Sequence, residues 1–498
     1  MLPVRQSHLV FQNQLRQGTI DLVNRSPDYR RDLHAYDHLF ALFWALDLDR
    51  AAAILWSTYS TRGAPAWDPL ILLRALILGM VEGFTEFGSL VAALRKNVVY
   101  RLLVGLGPSG VVPGRTTFYD FFGRMPGFRE AALRERRKAR NRRRRSKPKK
   151  KYKKGEKAPS RHPGITARLE RLLRNGRLPR ADELTVFLNL LLWEGFVEES
   201  RRRDLFGGDL LHVSGDSTDF PIHANPYGHR SCQCPVGEDC SHPRQHSAPE
   251  AVWGWTSHQG RWFFGYRFYE LTSSKGAELP LYIEMPKASR HDSESGYLAL
   301  AHFTAAHPLA SVRLDSAHDN LPTYSLIRAM GGIPFIDLNR GTVTDAEGNV
   351  KRIADEVHGL SPKGEPVCDW GPMVYRGRSG RYQRFDCPTT RAWTGAKCWE
   401  DCYRCTSHVK VADNPRLVCE VPRSRREWQD EYDRRTTVER SHQRKKNDLH
   451  LTARKNRQRP LVFALYMVAA FTQHALEWAK AVDGHALLDS WLEVSLVA

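Results

Sequence analysis

Four residues near the C-terminal end of the chain have types and a spacing that suit phosphate chemistry. Tyr432, Arg435, Glu439 and Lys446 follow one another at intervals of 3, 4 and 7 residues inside a strongly basic run. An α-helix turns by about 100° per residue, so these intervals predict that all four side chains share one helical face. On such a face the carboxylate can bind a divalent cation while the arginine and the lysine bind phosphate oxygens. An exposed helix with ordinary charge pairs is the alternative interpretation.

The pattern Y-x2-R-x3-E-x6-K resembles the signature of the DDE transposases of bacterial insertion sequences. The resemblance implies an RNase H-like catalytic core with two further carboxylates upstream, and it assigns Tyr432, Arg435 and Lys446 to DNA phosphate binding. It also implies a cytoplasmic, nucleoid-associated bacterial enzyme that cleaves DNA at insertion-sequence ends and joins them to target DNA. Its partners would be double-stranded DNA, as terminal inverted repeats and as target, and a second copy of the chain in a homodimeric synaptic complex.

The first upstream carboxylate is expected to be Asp216. It follows a short apolar run from Leu210 to Ser214 that predicts a strand. A carboxylate on a central strand packs poorly but is well placed to bind a metal ion. Asp219 lies three residues further on, so in a strand its side chain points to the opposite face and it is the weaker candidate.

The elements after Asp216 follow a recognisable order. Two runs rich in aromatic and β-branched residues, RWFFGYRFYEL and LPLYIEM, predict strands, and residues 293–306 have apolar residues at helical spacing. The run SVRLD then predicts another strand. Three strands, a helix and a strand is the order of an RNase H-like domain, in which a mixed sheet holds its acids side by side.

The second upstream carboxylate is Asp315, at the end of that last strand. The choice rests on the resemblance, because Asp319 lies close by and is expected instead to cap the helix that starts near Asn320. His291 and Asp292 match a pair that is common before the preceding helix in the resembling family. A polar loop and a helix cap explain that pair equally well.

Asp216, Asp315 and Glu439 together predict a site for two Mg²⁺ ions, for which Mn²⁺ can substitute. Carboxylate oxygens suit Mg²⁺, which keeps several waters and exchanges them for phosphate oxygens. Two such ions about 3.5 to 4 Å apart can activate an attacking oxygen and stabilise the leaving 3′ oxygen. The same site can accept water and then a DNA 3′ hydroxyl, so no covalent intermediate between protein and DNA is expected.

The charge of the chain is concentrated in one segment. The 498 residues have a formal charge of +20, and residues 134–157 hold 16 Lys or Arg against 2 Glu, a local +14. Such a run cannot bury a core and repels itself, so it predicts a basic mobile linker over residues 129–165. A linker of this kind suits DNA phosphates, with RNA or anionic lipid as alternatives.

Residues 1–128 predict a small all-α DNA-binding module. Asp68 and Pro69 supply a cap and a first helical residue, and further helical patterns lie in Phe87 to Lys96 and Thr117 to Met125. Short helices with tight turns permit a helix-turn-helix. The sequence of this region resembles that of the N-terminal domain of the same transposases, and this resemblance implies that the region binds the terminal repeats. A helical dimerisation or packing domain is the alternative.

The step of 124 residues from Asp315 to Glu439 exceeds the connection that a compact sheet needs. Strand patterns broken by Gly and Pro predict a β-rich insertion over residues 341–425. The insertion would divide the catalytic domain into residues 166–340 and 426–498, and the resembling family has a similar one. Its tryptophans, which can stack on an unpaired base or fill a core, are Trp370, Trp393 and Trp399.

Nine cysteines without a secretory signal argue against a disulfide framework. Most of the cysteines fall into two clusters. Four thiolates of the second cluster suit a structural zinc site, with the candidate ligands Cys368, Cys387, Cys402 and Cys405. The first cluster combines thiols with imidazoles and consists of His229, Cys232, Cys234, Cys240, His242 and His246. Reduced thiols without metal explain both clusters at least as well.

The sequence thus predicts an α/β protein with an RNase H-like catalytic core, a β-rich insertion and a preceding helical module. The apolar stretch near residues 460–481 contains Gln473, His474, Glu477 and Lys480 and is expected to pack on the sheet rather than cross a bilayer. The predicted function is that of a DNA transposase. A DNA-binding regulator, an inactive transposase derivative and a nuclease that cuts without joining are the alternatives.

Overall fold

The structure is a computed structural model of the whole chain. It describes residues 6–494 except 61–65, 109, 141–163, 236–241, 257–258, 305–306, 340–358, 362, 364, 369, 390–405 and 413–414.

The N-terminal part is helical. Its helices are α1 (His8–Arg25), α2 (Tyr29–Asp32), α3 (Asp37–Ala45), α4 (Asp49–Trp56), α5 (Pro69–Val81), α6 (Phe87–Lys96), α7 (Val98–Val104), α8 (Arg115–Gly123) and α9 (Phe128–Arg140), with a 3-10 turn at Leu33–Tyr36. Helix α5 starts where the cap residues predicted, because the Asp68 carboxylate accepts the Leu70 N–H at 2.8 Å. Helix α7 ends at Gly105, whose φ of +89° is a left-handed conformation that glycine adopts without strain.

Helix α9 extends into the segment that the sequence predicted to be linker from residue 129. The helix continues to Arg140 because one face is packed, and Glu135 on that face is buried. The Glu135 carboxylate accepts the Arg459 N–H at 3.0 Å. The remaining basic run, residues 141–163, lies outside the described residues.

A six-stranded mixed sheet forms the centre of the chain. Before it come α10 (Ile165–Arg174), α11 (Glu183–Leu192), a π-helical turn at Trp193–Val197 and α12 (Glu198–Arg202). The strands and helices of this part are β1 (Leu211–Pro221), β2 (His229–Arg230), β3 (Arg244–Gln245), β4 (Val252–Thr256), β5 (Arg261–Ser273), β6 (Pro280–Glu284), α13 (Asp292–Thr304), β7 (Leu309–Leu314), α14 (Leu321–Ala329) and β8 (Ile333–Ile336). Strands β2 and β3 form a separate hairpin.

The order of strands in the central sheet is β4-β5-β1-β7-β8. Strand β1 pairs antiparallel with β5 and parallel with β7, and β7 pairs parallel with β8. The first half of the long strand β5 pairs with β4 and its second half with β6. Strand β1 therefore has neighbours on both sides, which places its side chains in the middle of the molecule.

The insertion after β8 consists of short strands in two small sheets. They are β9 (Gly359–Leu360), β10 (Pro366–Cys368), β11 (Gly371–Pro372), β12 (Val374–Ser379), β13 (Tyr382–Asp386) and β14 (Thr406–Lys410). All lie within the range that the sequence predicted for a β-rich insertion. Arg416 attaches the end of the insertion to the main sheet through an ion pair with Asp319.

The C-terminal part is helical again. It contains α15 (Arg426–Asp433), α16 (Thr436–Gln443), a π-helical turn at Arg444–Asp448, a 3-10 turn at Leu451–Ala453, α17 (Arg459–Ala479) and α18 (Gly484–Val494). Helix α17 is buried along most of its length and packs against α3, α5, α11 and β6. The N-terminal and C-terminal helices therefore share one hydrophobic core. Among the described helices, none combines the length and the apolar character that a membrane crossing requires.

Candidate functional site

A cleft of about 700 Å³ opens beside the central sheet. Its walls come from the second half of β1, the residue after β7, the β4–β5 hairpin, the start of α13 and the C-terminal segment around α16. Five residues that the sequence predicted to act together line it, namely Asp216, Asp315, Arg435, Glu439 and Lys446. Elements far apart in the chain thus bring these side chains to one place.

Asp216 lies on β1, directly opposite Glu270 of β5. On the other side, the parallel register pairs Ser214 with Arg313, so two residues further on Asp216 reaches the level of Asp315. Burial, followed by the negative charge of Asp315, raises the pKa of Asp216 to about 7. Burial disfavours the charged form of the carboxyl group, and the nearby carboxylate of Asp315 adds to this effect.

Asp315 follows β7 directly and is supported from behind by a buried histidine. His318 Nδ1 lies 2.6 Å from Asp315 Oδ1, and His318 Nε2 lies 2.9 Å from the Tyr269 hydroxyl. Burial alone would raise the pKa of Asp315, but the hydrogen bond and charge of His318 outweigh it and leave that pKa lowered. For the same reason the pKa of His318 is raised although its burial acts against this. Asp315 therefore remains ionised more easily than Asp216.

Asp292 is a further carboxylate in the cleft that the sequence did not assign to the metal site. It is the first residue of α13, and its Oδ1 accepts the Ser217 hydroxyl at 2.6 Å. Arg267 lies 3.4 Å from the same oxygen. The sequence offered one indication of this role, the His291 and Asp292 pair. A local pattern alone could not distinguish that pair from an ordinary helix cap.

The two weaker acidic candidates have structural partners. Asp219 Oδ1 pairs with Arg267 at 2.9 Å, and the Thr256 hydroxyl binds its other oxygen. Asp319 pairs with Arg416 and does not cap the next helix, which corrects the expectation from sequence. The cap of α14 is Asn320, whose side chain accepts the N–H of the third helical residue. Arg416, which binds the Asp319 carboxylate, is 97 residues away in sequence, so a local pattern could not predict this contact.

The Tyr-Arg-Glu-Lys segment is not one regular α-helix. Helix α15 ends at Asp433, α16 begins at Thr436, and Lys446 lies in the π-helical turn that follows. Tyr432 therefore stacks on Trp428 of its own helix, with ring centroids 4.8 Å apart, and is not among the residues that line the cleft. The single helical face that the spacing predicted is confirmed only for the part after the break.

The remaining members of that segment present two cations and one carboxylate to the cleft. Arg435 Nη1 binds Glu439 Oε1 at 2.7 Å, and about half of the Glu439 side chain is exposed. Lys446 Nζ binds the Thr218 hydroxyl at 2.5 Å. Burial lowers the pKa of Lys446, so its ammonium group is partly dehydrated and well suited to an anionic ligand.

A buried ion pair fixes this segment to the sheet. Lys445 Nζ lies 2.8 Å from Glu270 Oε1, and both side chains are fully buried. Ser441 and Gln473 complete the hydrogen bonds of the lysine. The pair connects the π-helical turn that follows the Glu439 helix to β5, where Glu270 stands opposite Asp216 of the neighbouring strand β1.

The donor set of the cleft fits a hard divalent cation. Asp216, Asp315, Asp292 and Glu439 supply only carboxylate oxygens, which are the ligands that Mg²⁺ prefers. Within the described part of the chain, the carboxylates of Asp216, Asp315 and Glu439 are not all within 4.8 Å of one another. Glu439 is bound to Arg435 instead.

None of the described cysteines lines the cleft. Cys368 Sγ and Cys387 Sγ are 3.8 Å apart, since Cys368 ends β10 and Cys387 directly follows β13. Their predicted companions Cys402 and Cys405 lie outside the described residues, as does Cys240 of the first cluster. The ligand atoms of Cys232, Cys234 and His242 all lie within 4.8 Å of one another.

Exposed tryptophans stand at the rim of the cleft on the β4–β5 hairpin. Trp255 and Trp262 face each other across the two strands with ring centroids 5.2 Å apart. Trp255 lines the cleft together with Arg261. The tryptophans that the sequence suggested for base stacking lie in the insertion instead. Of these, Trp370 is exposed, and Trp393 and Trp399 are outside the described residues.

Comparison with known proteins identifies part of the helical region. Residues 28–124, about a fifth of the chain, match the family model described as Transposase domain (DUF772). The match spans α2 to α8 and ends before the first residue that lines the cleft. No curated protein matches the chain, and no solved structure matches it.

Proposed function

We propose that the chain is a DDE transposase, which cleaves DNA at the ends of an insertion sequence and joins them to target DNA. One observation supports this most directly. Asp216 from the middle of the sheet and Asp315 from the adjacent parallel strand meet Glu439, Arg435 and Lys446 in one cleft. The transposase-domain match in residues 28–124 is independent of that cleft and agrees with the same activity.

The order of the central strands supports an RNase H-like core. Strand β1 has an antiparallel neighbour on one side and a parallel neighbour on the other, and β8 extends the parallel side. In this arrangement the first acid sits on the central strand and the second follows the adjacent parallel strand. Asp216 and Asp315 occupy those positions, and a C-terminal helix contributes the third acid.

The side chains of the cleft have separate tasks in this proposal. Asp216, Asp315 and Glu439 would hold two Mg²⁺ ions, for which Mn²⁺ can substitute. When bound there, the ions supply activation of the attacking oxygen and stabilisation of the leaving 3′ oxygen. Arg435 and Lys446 bind phosphate oxygens of the scissile strand, and Tyr432 orients Arg435, whose guanidinium lies 5.9 Å from the Tyr432 ring centroid. Glu439, which binds Arg435 in the structure, would be free to hold the metal once a DNA phosphate is the partner of Arg435.

Charge and aromatic groups at the rim suit double-stranded DNA as the partner. Arg261 and Trp255 lie at the mouth of the cleft, where the phosphate backbone and an unpaired base would pass. The helical region that matches the transposase domain would bind the terminal inverted repeats, and pairing of two ends requires a homodimer. The zinc site predicted at Cys368, Cys387, Cys402 and Cys405 remains part of the proposal, supported by the 3.8 Å approach of its first two thiols.

The experiment uses a plasmid that carries the coding region with its own flanking DNA. Purified full-length protein with Mg²⁺ is expected to nick this plasmid at the element ends and to produce strand-transfer products. Asp216→Ala, Asp315→Ala and Glu439→Ala should each abolish cleavage while retention of flanking DNA in a gel-shift assay stays unchanged, because the carboxylates do not bind the backbone. Asp448→Asn, an exposed carboxylate beyond Lys446, is the matched control and should cut normally.

The possible outcomes separate the competing functions. Cleavage without joined products would make the chain a nuclease rather than a transposase. Binding of the flanking DNA without cleavage in Mg²⁺ or Mn²⁺ would make it a regulator or an inactive derivative. Normal cleavage by any one of the three alanine variants would remove that acid from the mechanism.

A further inference from the structure

The loop that connects the short strands β2 and β3 brings two thiols and an imidazole together. Cys234 Sγ lies 3.3 Å from His242 Nδ1, and the ligand atoms of Cys232, Cys234 and His242 are mutually within 4.8 Å. We propose that this loop binds one structural Zn²⁺ ion through these three side chains. The site is distinct from the cleft and from the cysteines of the insertion, and it does not depend on the proposed function.

The separation of the donors fits a single zinc ion. With Zn–S near 2.3 Å and Zn–N near 2.05 Å, a tetrahedral ion keeps sulfur and nitrogen ligands about 3.6 Å apart and two sulfurs about 3.8 Å apart. The observed distance of 3.3 Å between Cys234 and His242 is close to the first value. Two thiolates with one imidazole form a soft donor set that selects Zn²⁺ over Mg²⁺ or Ca²⁺. One coordination position is left for water or for a further donor of the same loop.

The described part of the loop has no buried side chain that could stabilise its shape. Of the described residues 229–235 and 242–245, none is buried. Its base is closed by the pairing of His229 with Gln245 and of Arg230 with Arg244. A short two-stranded hairpin is marginal in water, and a metal ion commonly supplies the missing folding free energy in such small units.

Polar contacts inside the loop orient the ligands. The Arg230 guanidinium donates to the Pro235 carbonyl at 2.9 Å, and the Ser231 hydroxyl donates to the Pro243 carbonyl at 3.0 Å. The first bond spans the segment that contains both cysteines. The second joins that segment to the one that carries His242.

The same loop braces the last helix before the basic segment. Strand β3 packs against α9, and Glu250, which follows the loop, forms an ion pair with Lys138 of that helix. The zinc ion would therefore determine how firmly α9 is held beside the sheet. Loss of the ion would loosen the loop first, because α9 also has contacts of its own with α17.

The test measures metal content and loop protection in the full-length protein. Zinc is quantified by elemental analysis in the wild type and in the Cys232→Ser/Cys234→Ser double variant, which is expected to contain one equivalent less. Cobalt-substituted wild type should show thiolate-to-cobalt charge-transfer absorption, and the double variant should lack the share of it that comes from the two thiolates of this loop. Removal of zinc with a chelator should accelerate tryptic cleavage after Arg230 and Arg244 in the wild type and have no effect in the double variant.

The Cys368→Ser/Cys387→Ser double variant is the matched control, since it removes two thiols from the other cluster. It should keep the cobalt signal of the first loop and its protection from trypsin. Equal zinc content in wild type and in the Cys232→Ser/Cys234→Ser variant would overturn the proposal. So would a mass showing that the two thiols have lost their hydrogens in a disulfide. Protease protection that does not respond to the chelator would exclude the structural role.

Discussion

The carboxylate of Asp315 is held in place by a buried histidine rather than by the backbone alone. His318 uses one ring nitrogen for Asp315 and the other for the Tyr269 hydroxyl, so its ring cannot rotate without breaking one of the two contacts. Groups that orient a metal ligand in this way are nearly as important as the ligand itself. His318 touches neither DNA nor metal in the proposed mechanism and is a positioning residue.

His318→Asn is expected to lower the rate of plasmid cleavage by about 10- to 100-fold, the usual effect of losing such a partner. The physical reason is a less well-oriented Asp315, so a higher Mg²⁺ concentration should restore part of the rate. Gel-shift binding of the flanking DNA and the melting temperature serve as checks. Tyr269→Phe removes only the more distant hydroxyl and should have a smaller effect. An unchanged rate in a folded His318→Asn protein would exclude the positioning role.

The β4–β5 hairpin lies at the mouth of the cleft, where DNA would enter in the proposed function. Trp253 and Trp255 point to the same face of β4 and are similarly exposed, at 42% and 44%. Only Trp255 lines the cleft. The two residues therefore allow a comparison in which position, and not side-chain type or exposure, is varied.

Trp255→Ala is expected to weaken binding of DNA with an unpaired end by about 5- to 150-fold, which corresponds to the ~1 to 3 kcal/mol of one stacked base. Trp253→Ala should change this affinity little. Fluorescence anisotropy with fully paired and partly unpaired duplexes measures both variants at one salt concentration. Two results would contradict base stacking at Trp255. One is an equal loss of affinity in the two variants, and the other is a loss of affinity in Trp255→Ala that is the same for fully paired and partly unpaired DNA.

Local patterns predicted those elements whose signals are complete within a few residues. The pattern for Phe87 to Lys96 matches α6, and the cap before Pro69 marks the start of α5. The break after Asp433 was not predictable, because the spacing of Tyr432, Arg435, Glu439 and Lys446 is compatible with one continuous helix and contains no signal for an interruption.

The site was predictable to the same extent. Asp216 was chosen because it follows a predicted strand and Asp315 because of the family resemblance, and both line the cleft. The support beneath them could not be predicted, since Lys445 and Glu270 are 175 residues apart in sequence. In the sequence, Lys445 is one of several basic residues in a row, and no local pattern indicates that it is buried.

At the scale of the whole molecule, the N-terminal helical region packs against the C-terminal helices. Helices α3 and α5 pack on α17, and α3 also packs on α18. The Arg454 guanidinium donates to the Gly79 carbonyl at 3.4 Å across this contact. The sequence predicted separate units joined by a linker, whereas the described residues of both units contribute to one core.

This shared core predicts the result of limited proteolysis. Residues 141–163 contain 12 Lys or Arg, so trypsin is expected to cut there first and to produce an N-terminal and a C-terminal fragment. The fragments should elute together in size-exclusion chromatography, because separation would expose the apolar faces of α3, α5 and α17 to water. In urea the same fragments should separate, which serves as the control. Separate elution in native buffer would show that the contact between the helical region and α17 is too weak to hold the molecule together.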